Sequence, residues 1–360
     1  MKKGESARKA PHTIRDIARV AGVSPKTVSF VLNGRAGVAD STRKHILRIV
    51  RELDYHPNAA ARALRDQLPR SIGVIFPSTT DAMPLSHSLW NWLHEDFTQI
   101  FGSRGYYVTF DMASYAGSRN GDYARGVWEQ AFGPCFLAGP LALTDRVVPR
   151  LHERGVPYVA VTRLDSFPQC SAATVDYEQA AYRSARYLLE RGHTRIGLLK
   201  AFQGYQTGLE RRRGYVRALR EAGLSVDESL IRPVAFTSDS IVDHLHALLS
   251  DQRITAIIDA SSAEDSAALR EGARRAGRRF DADLESVVWS YRYDTGVLPE
   301  ATAHMCLPLR QAAVEGLEQL AAWIEGGRNG PIQILYQPTL LETTHEAGLP
   351  EPLRVFYETG

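Results

Sequence analysis

The stretch 13-TIRDIARVAGVSPKTVSFVL-32 decides how the N-terminal part of this chain folds. Its apolar residues recur with the period of one helix face, and the recurrence is interrupted once, at Gly22. Glycine can end a helix with a positive φ, and Ser24 followed by Pro25 is typical of the cap and first position of a new helix. The stretch therefore predicts two short helices joined by a tight turn.

The sequence also contains an N-terminal cap for the first helix and the pattern of a third helix. Thr13 can accept a hydrogen bond from the free N–H groups of the first turn, and Asp16 completes a capping box. The apolar face of the third helix lies within 41–55 and consists of Ile46, Leu47, Ile49, Val50 and Leu53. Three such helices can close a small core, and the first two form a helix-turn-helix.

The second helix is the one expected to face DNA, because a helix of this size fits the major groove, where base edges can be recognised. Base contacts are assigned to three residues on its outer face, namely Pro25, Lys26 and Phe30. Phosphate contacts are assigned to five small polar residues, namely Thr13, Ser24, Thr27, Ser29 and Asn33. An exposed aromatic ring suits a thymine methyl group, although Phe30 can also be explained as a contact to the core or to a partner.

The charge of the chain is unevenly distributed. Residues 1–70 hold 15 Lys and Arg against 6 Asp and Glu, whereas the remaining residues hold 28 against 35. A basic head on an acidic body favours a polyanionic partner for the head alone. The alternative is a solvated basic tail.

Four blocks of sequence point to a known family. In chain order they are TIRDIARVAGVSPKTVSFVLNG, VADSTR, ELDYHPNAAARALR and SIGVIFP. With these blocks the chain resembles the lactose-repressor (LacI/GalR) family of transcriptional regulators. The resemblance implies that 57–65 is a hinge helix that folds on specific DNA, with Asn58, Ala63 and Leu64 at the minor groove and Leu64 as the wedge.

The physical chemistry of the 57–65 segment agrees with that role. A helix of about eight residues is too short to be stable alone, so ordering it on DNA makes binding depend on whatever sets the spacing of two copies. An inserted leucine unstacks a base step and kinks the duplex. The alternative is a plain linker helix. Phe30 stands where many family members carry Arg, which leaves the operator sequence open, and Ala39 gives the third helix a weak cap.

From Ile72 onwards, apolar runs typical of strands alternate with amphipathic segments. Strands are predicted at 71–78, 106–112, 133–139, 156–162, 195–201, 256–261, 285–291 and 304–309. Helices are predicted at about 88–103, 122–132, 144–154, 176–191, 209–222, 240–249, 263–276 and 309–326. This alternation predicts an α/β core of two doubly wound parallel lobes, which resembles the periplasmic-binding-protein fold. The expected domains are the helix-turn-helix headpiece 1–56, the hinge 57–70, the effector-binding and dimerisation core 71–345 and a tail 346–360.

Small ligands bind where the carboxyl ends of parallel strands meet, which in a two-lobed core is the cleft. By local resemblance, effector contacts are assigned to Trp90, Thr162, Arg163, Tyr205, Thr207 and Arg211, and Arg211 is expected to begin the helix that closes the site. Each can also be explained as a surface or packing residue.

The sequence departs from the family in two places near this cleft. In 287-VVWSYRYDTG-296, Arg292 stands near the usual acid and Asp294 lies two residues on; both are added to the effector candidates. Elsewhere Ser261 and Ser262 are followed by Ala263 and Glu264, where members often carry an Asn/Ser-Asp pair. These changes favour an anionic effector over a neutral sugar.

Several function classes lack their sequence signals. The chain shows no dinucleotide, P-loop, serine-hydrolase or zinc-protease motif, so no catalytic residue, metal or cofactor is predicted. Three scattered cysteines and no apolar run of membrane-spanning length favour the cytoplasm, and no signal peptide is predicted. The C-terminus has no leucine heptads, so a homodimer is expected.

The expected function is a ligand-responsive transcriptional repressor that binds a near-palindromic DNA operator. The expected effector is a sugar or an anionic metabolite. The alternative is a sugar-binding or enzymatic α/β protein with an incidental basic N-terminal arm.

Overall fold

The computed structural model describes residues 13–32, 35–53, 55, 70–77, 94–111, 122–235, 237–280, 282–291, 298–327 and 330–343. Seven predicted site residues lie outside these ranges, namely Asn33, Asn58, Ala63, Leu64, Trp90, Arg292 and Asp294. The chain divides into two compact units, residues 1–70 and 71–360.

Three helices build the described part of the first unit: α1 (Ile14–Ala21), α2 (Pro25–Leu32) and α3 (Asp40–Glu52). Their buried faces meet in one apolar core, which contains Ile17, Ala18, Ala21, Val28, Val31, Ile46, Ile49 and Tyr55. The predicted helix-turn-helix is therefore confirmed. Leu47 differs from its predicted place in the core, because its side chain is 39% exposed.

The ends of these helices follow the predicted caps. The hydroxyl of Thr13 accepts a hydrogen bond from the backbone N–H of Asp16, and the Asp16 carboxylate accepts one from the Thr13 N–H. Gly22 ends α1 with a φ of 67°, in the left-handed region that glycine adopts without strain. Ser24 Oγ accepts from the N–H of Thr27 and starts α2. Ala39 gives α3 no side-chain cap, as predicted.

Twelve strands and seven further α-helices are described in the second unit. The strands are β1 (Ser71–Ile75), β2 (Tyr107–Asp111), β3 (Cys135–Leu137), β4 (Tyr158–Ala160), β5 (Ala172–Val175), β6 (Ile196–Lys200), β7 (Ile231–Pro233), β8 (Ala256–Ala260), β9 (Glu285–Ser290), β10 (Ala303–Cys306), β11 (Gln333–Tyr336) and β12 (Thr339–Glu342). The helices are α4 (Arg125–Trp128), α5 (Val147–Glu153), α6 (Tyr177–Glu190), α7 (Gln206–Glu221), α8 (Ser238–Leu249), α9 (Ser266–Arg275) and α10 (Leu309–Ile324).

The strands form two six-stranded sheets of matching topology. The first has the order β11-β5-β4-β3-β1-β2 and the second β12-β10-β9-β8-β6-β7. Among the described strands, all neighbours run parallel except β12, which pairs antiparallel with β10. In each sheet the chain winds first to one side of the starting strand and then to the other, so the switch points lie between β1 and β3 and between β6 and β8. The predicted doubly wound parallel core is confirmed.

Each sheet and the helices against it form one lobe. The first lobe contains β1–β5, β11 and α10, whose Leu317 and Leu320 are buried against Val159 and Ala173. The second contains β6–β10, β12, α6 and α7, and its core is centred on Trp289. The chain passes between the lobes after β5, after β10 and between β11 and β12. The loop that follows β3 in the first lobe contacts the loop that follows β6 in the second, so the lobes meet at the carboxyl ends of these strands.

Some predicted boundaries differ from those in the structure. Four short strands, β5, β7, β11 and β12, were not predicted. Within the segment predicted as helix at 88–103, residues Thr98–Gly102 form a π-helix. Helix α7 begins at Gln206 rather than at Arg211, so Arg211 lies in its second turn. No helix in the described ranges is both long and apolar enough to cross a bilayer.

Candidate functional site

The outer face of α2 carries the residues predicted to contact bases. Pro25 and Lys26 are exposed, and Phe30 is half-buried. The Lys26 ammonium lies 5.7 Å from the centre of the Phe30 ring, and the Arg35 guanidinium lies 5.8 Å from it. One aromatic ring is therefore flanked by two cations on the face that remains open after α1 and α3 have covered the other side.

Arg35 was not predicted as a site residue, and the backbone holds it beside Phe30. Its N–H donates to the Phe30 carbonyl oxygen over 3.0 Å, and its own carbonyl oxygen accepts from the Arg43 guanidinium over 2.6 Å. A cation five residues after an exposed aromatic at a helix end was the signal that could have identified it. A guanidinium here can donate to a phosphate or to guanine.

The predicted phosphate-binding hydroxyls also serve as helix caps. Thr13 Oγ1 donates to the Asp16 carboxylate over 2.7 Å, so its proton is already used within the capping box. Ser24 Oγ and Thr27 Oγ1 lie 2.9 Å apart, and one of these two hydroxyls keeps a proton for another acceptor. Ser24 and Thr27 are thus better placed than Thr13 to donate to phosphate.

In the second lobe, Arg211 is the most enclosed of the predicted effector residues that the structure describes, with 0% of its surface exposed. Its Nε donates to the Ala260 carbonyl oxygen over 2.9 Å, and its Nη1 donates to that of Thr207 over 3.0 Å. The rings of three aromatic residues lie around the guanidinium, at 4.5 Å from Tyr177, 5.1 Å from Phe202 and 5.2 Å from Trp289. This cation sits at the carboxyl end of β8.

Thr162 and Arg163 follow β4 in the first lobe, and their side chains make different kinds of contact. The Thr162 hydroxyl is buried, accepts from the N–H of Leu141 and donates to the carbonyl oxygen of Gly139, so it fixes the turn after β3. The Arg163 guanidinium instead reaches across to the second lobe, where its Nε lies 2.7 Å from Oε1 of Glu210. Glu210 is 1% exposed.

A group of contacts between the lobes surrounds this ion pair. Asp165, near Arg163, pairs with Arg213 of α7. The backbone contributes two hydrogen bonds, one from the Gln206 N–H to the Leu141 carbonyl oxygen and one from the Leu143 N–H to that of Gly204, at 3.0 and 3.1 Å. The start of α7 is therefore joined to the loops that follow β3 and β4, which the sequence did not predict.

Tyr205 and Thr207 mark the start of α7. Tyr205 is the N-cap residue, in an extended conformation and without a side-chain cap, and it forms a bridge with Ala142. Thr207 is 2% exposed, and within the described residues its hydroxyl has no hydrogen-bond partner. Glycine is required at position 208, since a Cβ there would lie 2.0 Å from the Phe202 carbonyl oxygen. This close approach brings Phe202 against Arg211.

Acidic groups near Arg211 are engaged elsewhere. Glu264, which has a φ of 55°, accepts from the hydroxyl of Ser290 and from the N–H of Tyr291. Burial raises the pKa of Asp259 above its usual value, and its carboxylate accepts from the Ser261 N–H over 3.1 Å. Among the residues that the structure describes, no cluster of three His, Cys, Asp or Glu side chains could hold a metal ion.

Comparison with known families matches both units of the chain. Residues 13–58 match the model of bacterial regulatory proteins of the lacI family. Residues 135–286 match the model of periplasmic binding proteins and the sugar-binding domain of the LacI family. The first match covers the three-helix unit with the exposed face of α2, and the second covers most of the carboxyl-end loops around Arg211.

Among curated relatives, catabolite control protein A of Priestia megaterium is 30% identical over 294 residues, which span 81% of this chain and 86% of the relative. The transcriptional regulator CelR of Thermobifida fusca is 28% identical over 342 residues, which span 93% and 98% of the two chains. The match to CelR is long enough that it must include parts of both units of this chain.

Two solved structures share the fold over nearly the whole chain. A complex of the transcriptional regulator CelR with cellobiose aligns with a TM-score of 0.63 and 27% identity, covering 92% of this chain and all of the other. A lac repressor dimer bound to operator and the anti-inducer ONPF aligns with a TM-score of 0.74 and 20% identity, covering 94% and 100%. The lower identity of the second supports the fold alone.

Proposed function

Because the chain belongs to the LacI family of bacterial transcriptional regulators, we propose that it is a repressor that binds a near-palindromic operator as a homodimer. The effector is a small molecule bound where the carboxyl ends of the two sheets meet. The observation that carries the DNA-binding part is the outer face of α2, where Lys26, Phe30 and Arg35 lie together beside a fully closed three-helix core.

The residues of this face are proposed to contact DNA in two ways. Pro25, Lys26 and Phe30 contact base edges in the major groove, whereas Ser24 and Thr27 donate to phosphates. Thr13, Ser29 and Asn33 are further phosphate contacts predicted from sequence. Two-fold operators match two-fold proteins, which supports a near-palindromic site.

The proposed coupling between effector and DNA runs through the segment 57–65, which lies outside the described residues. Asn58, Ala63 and Leu64 would enter the minor groove only when two copies are held at the right spacing. An effector that changes how the lobes meet would change that spacing and so the operator affinity. The ion pair between Arg163 and Glu210 supports this proposal, because it joins the two lobes. A change in how the lobes meet would therefore act on this contact.

The effector site is proposed to include Arg163, Tyr205, Thr207 and Arg211, together with Trp90, Arg292 and Asp294 from sequence. A sugar is supported by the CelR–cellobiose structure, whose ligand is a disaccharide. The proposal places the protein in the cytoplasm, where its operator is, and assigns it no enzymatic step. The relatives described above carry names of regulatory proteins, which supports that assignment.

Selection of bound fragments from random DNA, followed by gel shift, tests the proposal. The expected outcome is one inverted-repeat sequence bound by two chains, with affinity that falls as salt rises. Binding that shows no sequence preference would count against it.

A further inference from the structure

A second buried cation lies next to Arg211. Lys200 is the last residue of β6, and in the sheet register it stands directly opposite Ala260, whose carbonyl oxygen accepts from Arg211. Lys200 alternates with Ile196 and Leu198, so its side chain points to the same face of the sheet, which α7 covers. The residue is 8% exposed.

Neither cation forms an ion pair with a carboxylate within the described part of the chain. Burial raises the pKa of Asp259, which favours the uncharged acid, and it outweighs the effect of the Arg211 guanidinium, which lies near enough to lower this pKa. No hydroxyl, carbonyl or carboxylate there accepts a hydrogen bond from the Lys200 ammonium, and no carboxylate lies within 4.0 Å of either Lys200 or Arg211. The partners of Arg211 are carbonyl oxygens, aromatic faces and two hydroxyls at 3.5 Å, those of Ser262 and Tyr291. Burial, followed by the charges of Arg211 and Arg212, lowers the pKa of Lys200.

The positive end of α7 adds to the same region. Helix α7 spans 16 residues, and its N-cap residue Tyr205 supplies no side-chain acceptor. The hydroxyl of Thr207 in the first turn is buried and unpartnered within the described residues. Aligned peptide dipoles make a helix N-terminus favourable for anions, so an ammonium beside it that forms no ion pair is destabilised twice. A negatively charged group would relieve both effects.

The location is that of a ligand site. Lys200 and Ala260 end the two strands on either side of the switch point in the second sheet, and ligands bind at the carboxyl ends of strands at such points. Charges on buried side chains are normally paired, so two neighbouring cations that form no ion pair with a carboxylate indicate that a ligand supplies the partner.

We propose that Lys200, Arg211 and the hydroxyl of Thr207 form a subsite for an oxyanion, the phosphoryl or carboxylate group of the effector. The proposal rests on the proposed function, because it names the chemical class of the regulator's ligand. A phosphoryl group suits the site through its three acceptor oxygens, and a carboxylate suits the guanidinium. The uncharged part of the ligand then extends from this subsite into the cleft.

The test is thermal unfolding of the purified full-length chain with inorganic phosphate or acetate, at constant ionic strength set with chloride. Phosphate, acetate or both should raise the melting temperature of the wild type, and the more effective ion identifies the group. Lys200→Met removes the ammonium and keeps much of the volume. It should raise the melting temperature measured without added ions, because a charge that forms no ion pair is removed from a largely buried side chain, and it should reduce the response to the ions.

The matched control is Arg212→Gln, which removes a charge from the same helix but from a side chain that is 40% exposed and paired with Glu228. This variant should keep the ion response, whereas Lys200→Met should weaken ion binding about tenfold or more, the effect of losing one charge-assisted hydrogen bond. An equal response in wild type and Lys200→Met, or stabilisation by glucose but by neither ion, would overturn the subsite.

Operator binding, measured on the same preparation, distinguishes a failure of the subsite proposal from a failure of the proposed function. If the chain binds its selected operator and no oxyanion stabilises it, the subsite is wrong and the regulator stands. If the chain binds no DNA sequence selectively, the proposed function is wrong, whatever the ions do.

Discussion

The Nε atom of Arg163 lies 2.7 Å from Oε1 of Glu210, and this ion pair joins a loop of the first lobe to a helix of the second. The Glu210 carboxylate is almost completely buried, whereas a third of the Arg163 side chain is exposed. Since the pair bridges the two bodies between which an effector is proposed to bind, it makes the stability of the core depend on how the lobes meet.

Replacing one residue of this ion pair should lower the free energy of unfolding more than replacing both residues. Arg163→Ala leaves a buried carboxylate without its cation, and we expect a loss of about 2–3 kcal/mol, at the low end for buried pairs because Arg163 is partly exposed. The double variant Arg163→Met/Glu210→Leu should lose less, since no charge remains buried. Urea unfolding measures both, and a double variant as unstable as Arg163→Ala would contradict a charge-based role.

The Glu210 carboxylate should make the free energy of unfolding depend on pH. Burial raises the pKa of Glu210, and the Arg163 guanidinium opposes this to a smaller extent. A raised folded-state pKa stabilises the chain below the unfolded pKa, and this contribution is lost as the pH rises through the folded pKa. Between about pH 4 and pH 7, the unfolding free energy of the wild type should therefore fall relative to that of Glu210→Gln. A constant or rising difference would contradict the assignment.

Changes on the outer face of α2 should separate sequence preference from general DNA affinity. Phe30→Ala or Lys26→Ala should relax the preference at one or two positions of the operator, at about 1–3 kcal/mol per lost base contact. Thr27→Val should instead weaken binding to all sequences similarly and leave the salt dependence unchanged, because an uncharged hydroxyl releases no counterion. Anisotropy titrations on selected and altered operators measure this. Identical effects of both kinds of change would show that α2 is not the helix that recognises bases.

Loss of a helix cap should destabilise the three-helix unit. Ser24→Ala removes the acceptor for the N–H of Thr27 at the start of α2 and should cost about 1 kcal/mol. Ser24→Asp, which keeps an acceptor and adds a charge suited to the helix N-terminus, is the matched control and should retain stability. Thermal unfolding of the full-length chain followed on the helix signal distinguishes them, and an unchanged Ser24→Ala variant would contradict the cap.

The packing of α6 on α7 depends on Gly214. A Cβ at this position would lie 2.0 Å from the carbonyl oxygen of Glu178 and 2.8 Å from the amide nitrogen of Tyr182, both of which are backbone atoms. Gly214→Ala should therefore force the helices apart and destabilise the second lobe by about 1–3 kcal/mol or more. Gly102→Ala, whose added Cβ would lie 3.8 Å from a Thr98 methyl group, should be close to neutral. Equal stability of the two variants would contradict this packing.

Local signals made the first unit predictable. The capping box at Thr13, the positive φ of Gly22 and the cap at Ser24 depend on neighbours within a few residues, so the sequence contains them directly. The alternation of strands and helices similarly predicted the two parallel lobes. Leu47 was placed wrongly, because helical periodicity does not say how wide the buried face of α3 is.

Contacts between distant residues were not predictable in the same way. Arg163 and Glu210 are 47 residues apart in sequence, and only the folded lobes bring them together. The strands β11 and β12 are defined by the sheet edges to which they pair rather than by their own pattern. In the sequence, Lys200 looks like an ordinary polar residue at a strand end. Its burial depends on the packing of α7 over the sheet, which the sequence pattern does not give.

The most direct test of the central claim, that this chain recognises a two-fold DNA site with α2, is an anisotropy titration with the selected duplex and a scrambled duplex at the same salt concentration. We expect two chains to bind each selected duplex, with an affinity at least about 10³-fold higher than for the scrambled one. Equal affinity for the two duplexes, or binding of a single chain, would contradict it.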